Sequence, residues 1–325
     1  MSQVVAFAKR KGRHARTLMS SSSGDVVVVG SANMDMTVQC KHLPIPGQTI
    51  LGDSFVTNPG GKGANQAVAC AKLGAGTELV ARVGNGMFVP RFMESYDKVG
   101  LGHQHVIRDT TTPSGTALIF VDDDGENMIV VAPGANNKLS VADVDAAQDA
   151  ITSAKVMILQ LEVPLETVVH AASLAKQHGL TVILNPAPVR ILPPALLENV
   201  DILIANEVEV AILTGAQEVD TSTAATACKP LIDAGVGHVI TTIGKDGAII
   251  TGGDGATKVR GFKVNAIDTT SAGDTFVGAL ACALTEGKAL EDAALFANAA
   301  AALTCTKRGA QQAMPTREEV DEMLS

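Results

Sequence analysis

Aromatic residues are scarce in this 325-residue chain, which has eight Phe, one Tyr and no Trp. A stacking platform for nucleic-acid bases needs aromatic faces, so binding of that kind is not expected. No run of about 18 apolar residues occurs, which excludes a membrane-spanning helix. Cysteine is too dispersed for a framework: Cys40, Cys70, Cys228, Cys282 and Cys305 are odd in number and form no C-x-x-C. That pattern fits buried thiols in a reducing compartment, so a cytoplasmic location is expected. Acids are missing from residues 1–19, which hold Lys9, Arg10, Lys11, Arg13 and Arg16. No apolar stretch follows these, so a secretory signal is not expected, and residues 1–23 read as a disordered basic extension.

The rest of the chain, from residue 20, carries 20 basic against 34 acidic residues. An acidic body repels nucleic acid and anionic membranes. It repels ATP too, so a phosphate site here must rest on backbone N–H groups and metal ions. The 46% hydrophobic fraction is enough for a large core, and residues 24–325 read as one domain.

Continuous Val/Ile-rich runs at 26–29, 156–161, 182–184, 202–205 and 239–243 have the character of strands buried on both faces. Amphipathic stretches such as 164–178 and 222–234 separate them. This rhythm predicts an α/β fold with an open, mostly parallel sheet flanked by helices. Segments 34–57 and 114–131 alternate apolar and polar residues instead, and the second turns at Asp122-Asp123-Asp124-Gly125. They predict a small antiparallel β lid, whose apolar face could pair with a second subunit as a homodimer.

Ligands of parallel sheets bind beyond the carboxyl ends of the strands. Polar residues follow each run: Asn33 and Asp35, Glu162, Asn185, Asn206 and Glu209, then Thr242 and Gly244. Any one of them could be a cap or turn residue, but together they predict a crevice. The stretch Asp268-Thr269-Thr270-Ser271-Ala272-Gly273-Asp274 opens a helix that runs to about Glu286. Small residues there bare N–H groups at a helix N-terminus, which favours an anion. Asp274 in the first turn could be only a cap, but capping does not need the small residues before it. It is expected to be a catalytic base beside an anion hole made by the Ala272 and Gly273 N–H groups.

A second glycine-rich element, Asn58-Pro59-Gly60-Gly61-Lys62-Gly63-Ala64-Asn65-Gln66, leads into a helix that ends at Gly74. Gly61 lets a ligand approach closely, and Lys62 and Asn65 suit a polyhydroxylated one. No G-x-x-x-x-G-K-[ST] or complete G-x-G-x-x-G is present, which argues against a P-loop NTPase and a dinucleotide-binding dehydrogenase. His103 and His105 alternate on an expected strand, but with no third ligand nearby a metal pair is not expected. Asn298, in an Ala-rich helix, is expected either to touch a ligand or to face solvent.

From about residue 25 onward, the ordered set of motifs resembles the ribokinase family of carbohydrate and nucleoside kinases. The motifs are Gly30 to Asp35, Gly60 to Asn65, Asn185-Pro186-Ala187-Pro188, Asn206-Glu207-Val208-Glu209, Thr242-Ile243-Gly244 and Asp268 to Asp274. The resemblance implies that ATP phosphorylates the primary hydroxyl of a pentose, with ribose as substrate. Fructose, deoxyribose or adenosine are the alternatives, and a silent sugar-binding protein is a further one. Asn33, Asp35, Gly61, Lys62, Asn65 and Glu162 would hold the sugar, and Asp274 would be the base. Asn185, Asn206, Thr242, Gly244, Gly273 and Asn298 would lie around ATP. The resemblance also implies Mg²⁺, positioned through water by Asn206 and Glu209. K⁺ would be held by Asp268 and Thr270 with the carbonyls of Thr304, Lys307 and Gly309. Two positions depart from the family pattern: Ala313 stands where a hydroxyl is usual near the cation, and Gly84 to Val89 replaces an acid-containing turn.

Overall fold

The computed structural model describes residues 24–325, so the expected basic extension, 1–23, lies outside the described residues. Thirteen strands form two sheets. The first seven are β1 (Val26–Val29), β2 (Asn33–Gln39), β3 (Ser54–Gly60), β4 (Thr77–Gly84), β5 (Val106–Asp109), β6 (Gly115–Val121) and β7 (Asn127–Ala132). The others are β8 (Val156–Leu159), β9 (Thr181–Leu184), β10 (Ile202–Asn206), β11 (His238–Thr242), β12 (Ala248–Gly252) and β13 (Gly255–Val259).

The large sheet runs β13-β12-β11-β10-β9-β8-β1-β4-β5. Its members from β5 to β11 are parallel, while β12 and β13 add an antiparallel edge. The continuous hydrophobic runs have a direct explanation here, because each strand is covered on both faces. In β1, Val26 and Val28 pack into one hydrophobic layer while Val27 and Val29 pack into the other. The period-two geometry of a strand requires this division. One layer takes the helices Lys62–Lys72, Ala272–Thr285 and Leu290–Thr304; the other takes Leu165–Gln177 and Ala224–Asp233.

The small sheet, β3-β2-β6-β7, is the expected lid with one addition. Its two outer pairings are antiparallel, but β2 and β6 lie parallel at its centre. The β6–β7 hairpin turns where the acidic run predicts. Asp122 accepts from the N–H groups of Asp124 and Glu126, and Gly125 takes a φ of 83°, which glycine adopts without steric cost. Phe55, Val56, Leu118 and Met128 to Val131 leave the lid with an exposed apolar surface.

One expectation is corrected, and one pair of alternatives is narrowed. His103 and His105 sit in the turn before β5 rather than on a strand, and His103 Nε2 lies 3.0 Å from Asp97 Oδ1. Asn298 does not face solvent: it is 7% exposed, and its Nδ2 donates to Arg260 O at 3.0 Å. An Asn inside an apolar helix needs such a partner. Among the described residues, no helix is long and apolar enough to cross a membrane.

Candidate active site

Close helix packing assembles the site. At Gly278 a Cβ would lie 2.6 Å from Ala69 Cβ and 2.7 Å from Gln66 O, so glycine lets the 272–285 and 62–72 helices press together. That approach brings Asn65 and Gln66 to the first turn of the facing helix. Asn65 Nδ2 donates to Asp274 Oδ2 and Gln66 Nε2 to Asp274 Oδ1, both at 3.0 Å. Asp274 is 8% exposed and is therefore not a helix cap: both of its oxygens are taken by side chains of another element. The 272–285 helix starts instead from Ser271, in a left-handed conformation (φ 60°) with no side-chain cap. A non-glycine residue there carries strain, and such strain concentrates at functional sites.

Of the two N–H groups expected to make an anion hole, that of Ala272 is already engaged. Ala272 N–H donates to Thr269 O at 3.2 Å, closing the turn that precedes the helix. Gly273 and Asp274 have no acceptor for their N–H groups among the described residues. The exposed pair of amides is therefore 273 and 274, one residue later than the sequence suggests. At Gly273 an added Cβ would meet nothing within 4 Å, so the fold itself does not require glycine there. Close approach by a ligand would.

On the lid side, Asn33 is 3% exposed and its Oδ1 accepts from Asn136 Nδ2 at 2.7 Å. Gly61 begins the 62–72 helix at φ 88°, where a Cβ would lie 2.6 Å from Asn33 N. Ser31 Oγ (2.5 Å) and Lys62 N–H (3.1 Å) both donate to Glu162 Oε2. Burial and the neighbouring Glu162 and Asp274 carboxylates raise Asp35 to about 7, although Lys62 opposes them. Burial draws the Lys62 ammonium down, but Asp274, Glu162, Glu209 and Asp35 outweigh it and leave its pKa above the usual value. One cation thus sits among four carboxylates.

A cavity of about 170 Å³ joins Lys62, Asn185, Asn206, Glu209, Thr242, Gly273 and Asp274. Thr242 and Gly273 also line a second cavity of about 770 Å³, with Gly244, Ala272, Phe276 and Asn298. The two spaces meet at the amide ends of the 272–285 helix.

Asn206 and Glu209 form a reciprocal capping box: Glu209 N–H donates to Asn206 Oδ1 (2.8 Å) and Asn206 N–H to Glu209 Oε2 (3.0 Å). Glu209 Oε1 has no hydrogen-bond partner among the described residues, and the pair suits a hydrated divalent ion rather than a caged one. Among the described residues, no group of three or more His, Cys, Asp or Glu converges as a ligand cluster. Asp268 accepts from Thr270 N–H and Gly309 N–H, each at 2.9 Å, which docks the 304–309 segment against it. The carbonyls of Lys307 and Gly309 accept no hydrogen bond among the described residues, whereas that of Thr304 accepts from Lys307 N–H at 3.2 Å. Free carbonyls beside a carboxylate fit a monovalent cation. Ala313 is fully buried and offers no hydroxyl there.

The sequence and the fold both match a known group. The sequence pattern of the pfkB family carbohydrate kinases matches residues 23–317. The chain belongs to this family. A pfkB-family relative, the ribokinase of Haemophilus influenzae, is 39% identical over 299 residues, covering 92% of this chain and 98% of that one. The deoxyribokinase of Salmonella typhi is 37% identical, covering 93% of this chain and 99% of its own. Among solved structures, Arabidopsis thaliana ribokinase complexed with ribose and ATP superimposes with a TM-score of 0.87 at 33% identity, covering 94% of this chain and 99% of that one.

Gln66, Gln160, Gln311 and Asn136, which hold the amides and carboxylates in place, are not among the residues expected of this pfkB-family site. Gln66 stands inside the glycine-rich motif and is findable there; the others follow no motif.

Proposed function

We propose that this protein transfers the γ-phosphoryl group of ATP to the 5-hydroxyl of D-ribose, giving ribose 5-phosphate and ADP. The observation that carries the reading is Asp274: a carboxylate beside two unpartnered N–H groups, where a polar cavity meets a large one. The ribose oxygen attacks the γ-phosphorus, the bond to the ADP oxygen breaks, and Asp274 takes the hydroxyl proton. Phosphoryl transfer needs mainly alignment and charge neutralisation, and the Gly273 and Asp274 N–H groups would supply part of both. Asn33, Asp35, Gly61, Lys62, Asn65 and Glu162 would hold the sugar. The nucleotide would occupy the 770 Å³ cavity beside Thr242, Gly244 and Asn298, with Asn185 near its phosphates.

Mg²⁺, when bound, neutralises phosphate charge, and Asn206 and Glu209 would hold it through water. K⁺ would be held by Asp268, Thr270 and the carbonyls of Thr304, Lys307 and Gly309. The five unpaired thiols, four of them buried, support a cytoplasmic setting. The apolar lid face supports a homodimer formed through it. Ile129→Asp is expected to yield a monomer by light scattering, and an unchanged mass would remove the lid from the interface.

A coupled ADP assay across ribose, deoxyribose, fructose and adenosine, with and without K⁺, tests the substrate. Ribose should give the highest kcat/KM. Deoxyribose is the second reading, because the Salmonella relative is a deoxyribokinase, and its preference over ribose would displace the first. No ADP formation with any sugar, despite calorimetric ribose binding, would favour a silent binder.

A further inference from the structure

The helix 62–72 offers two consecutive amides to Asp274, and only Asn65 belongs to the proposed sugar contacts. Gln66 is fully buried, as is Gln160 behind it. Every polar atom of the Gln66 carboxamide has a partner. Its Nε2 donates to Asp274 Oδ1 (3.0 Å) and Asn185 Oδ1 (3.1 Å), and its Oε1 accepts from Gln160 Nε2 (2.6 Å). A carboxamide can turn over with little change of shape, exchanging acceptor and donor. Turned over, Gln66 would set its oxygen against two oxygens and its NH₂ against another NH₂. The oxygens of Asp274 and Asn185 therefore fix which end of Gln66 meets the carboxylate, and Gln160 backs that orientation, although its own Oε1 is buried with no partner among the described residues. Asn65 is anchored further out: its Oδ1 accepts from Gln311 Nε2 (3.1 Å), and Gln311 Oε1 accepts from Ser95 Oγ (3.0 Å).

We propose that Gln66, backed by Gln160, is a positioning residue that fixes the rotation of the Asp274 carboxylate and ties it to Asn185 on the phosphate side of the cleft. This rests on the reading of Asp274 as the base. With one amide on each oxygen, the carboxylate cannot swing, and each oxygen keeps a lone pair for the incoming proton. Such support is needed because Asp35 from β2 and Glu162 after β8 bring like charge into the cleft, and Lys62 is the cation facing them.

The test is Gln66→Met in the full chain, which keeps volume and removes the donor. Turnover with ribose and ATP should fall about 10- to 100-fold while the ribose KM changes less than about threefold, as a misplaced reacting group would give. Gln160→Met, which removes only the backing of Gln66, should lower turnover in the same way by less. Wild-type kcat in Gln66→Met would overturn the proposal, and so would a loss confined to KM. Should Gln66→Met fail to melt cooperatively, a folded Gln160→Met is read instead, and wild-type kcat there overturns it equally. Asp274→Asn run in parallel separates the two readings. If it abolishes turnover while Gln66→Met is silent, only the positioning role fails; if it keeps full kcat, the base assignment itself fails.

Discussion

The two halves of the cleft are built on different principles. On the side assigned to the sugar, polar side chains are already engaged with one another: Asn33 with Asn136, Glu162 with Ser31 and Lys62, and Asn65 with Gln311 and Asp274. On the side assigned to the nucleotide the larger cavity is walled by Ala272, Phe276, Ala301, Ala302 and glycines. Its polar offer comes from backbone, a few hydroxyl and amide groups, and the charged Lys245, Asp246 and Lys263. A prearranged side-chain network rejects a ligand that leaves a buried partner unpaired, at a cost of about 1–3 kcal/mol per group. A wall of small residues and backbone selects on shape and on phosphate charge. The structure thus divides its demands, strict toward the acceptor and permissive toward most of the donor.

Asp274, at the seam, is the position where the comparison can be broken most severely. Asp274→Asn should lower kcat by about 10²–10⁴, or roughly 3–5 kcal/mol of barrier. It also turns one acceptor oxygen into an NH₂ facing Asn65 or Gln66, so a loss of melting temperature should accompany it. Steady-state kinetics with a thermal melt measure both, and wild-type kcat would dissolve the seam.

Asp35 tests the sugar half. Its folded pKa, about 7, lies above the ordinary aspartate value of 3.8. Between those values the unfolded chain has already lost a proton that the folded chain keeps, so stability falls as pH rises through the window and the loss is complete above 7. Asp35→Asn should therefore raise the melting temperature, with a gain that grows from pH 5 to pH 8. Ribose affinity at pH 8 should fall about tenfold, as loss of a charged hydrogen bond predicts. Calorimetry at both pH values decides it, and a pH-independent melting difference would contradict the burial of charge.

The smallest effect is expected on the nucleotide half. Gly273→Ala meets no protein atom within 4 Å, and alanine is favoured over glycine in helices by about 1 kcal/mol. The melting temperature should hold or rise while the ATP KM increases several-fold. An unchanged ATP KM would mean that phosphate does not approach that amide.

Much of this was legible before any coordinates. The Val- and Ile-rich runs read as strands because a parallel sheet buries both faces, and the acidic turn at Asp122 carries its own geometry. Asn33, Lys62, Asn65 and Asp274 were readable as a set because each follows a strand or opens a helix. What stayed hidden depends on separation. Asn65 and Asp274 lie 209 residues apart, and nothing local in the chain says which two helices Gly278 brings together. Gln160 and Gln311 were invisible for the same reason. The shift of the free amides to 273 and 274 depends on a turn closed by Thr269, a detail of backbone geometry that residue types do not encode. His103 was misjudged because alternation carries no knowledge of neighbours, and low helix propensity left two readings of Asn298 open for the same reason.

The carboxylates gathered round Lys62 have an outcome for the end of the catalytic cycle. Ribose enters as a neutral molecule and feels little of that field, whereas its phosphate ester departs as a dianion from a chamber already rich in negative charge. Repulsion of this kind would hasten discharge of the product and keep it from blocking the next turnover. Because added electrolyte screens such forces, inhibition by ribose 5-phosphate should tighten as ionic strength increases, and inhibition that weakens or stays flat in a salt series would remove this ejecting role.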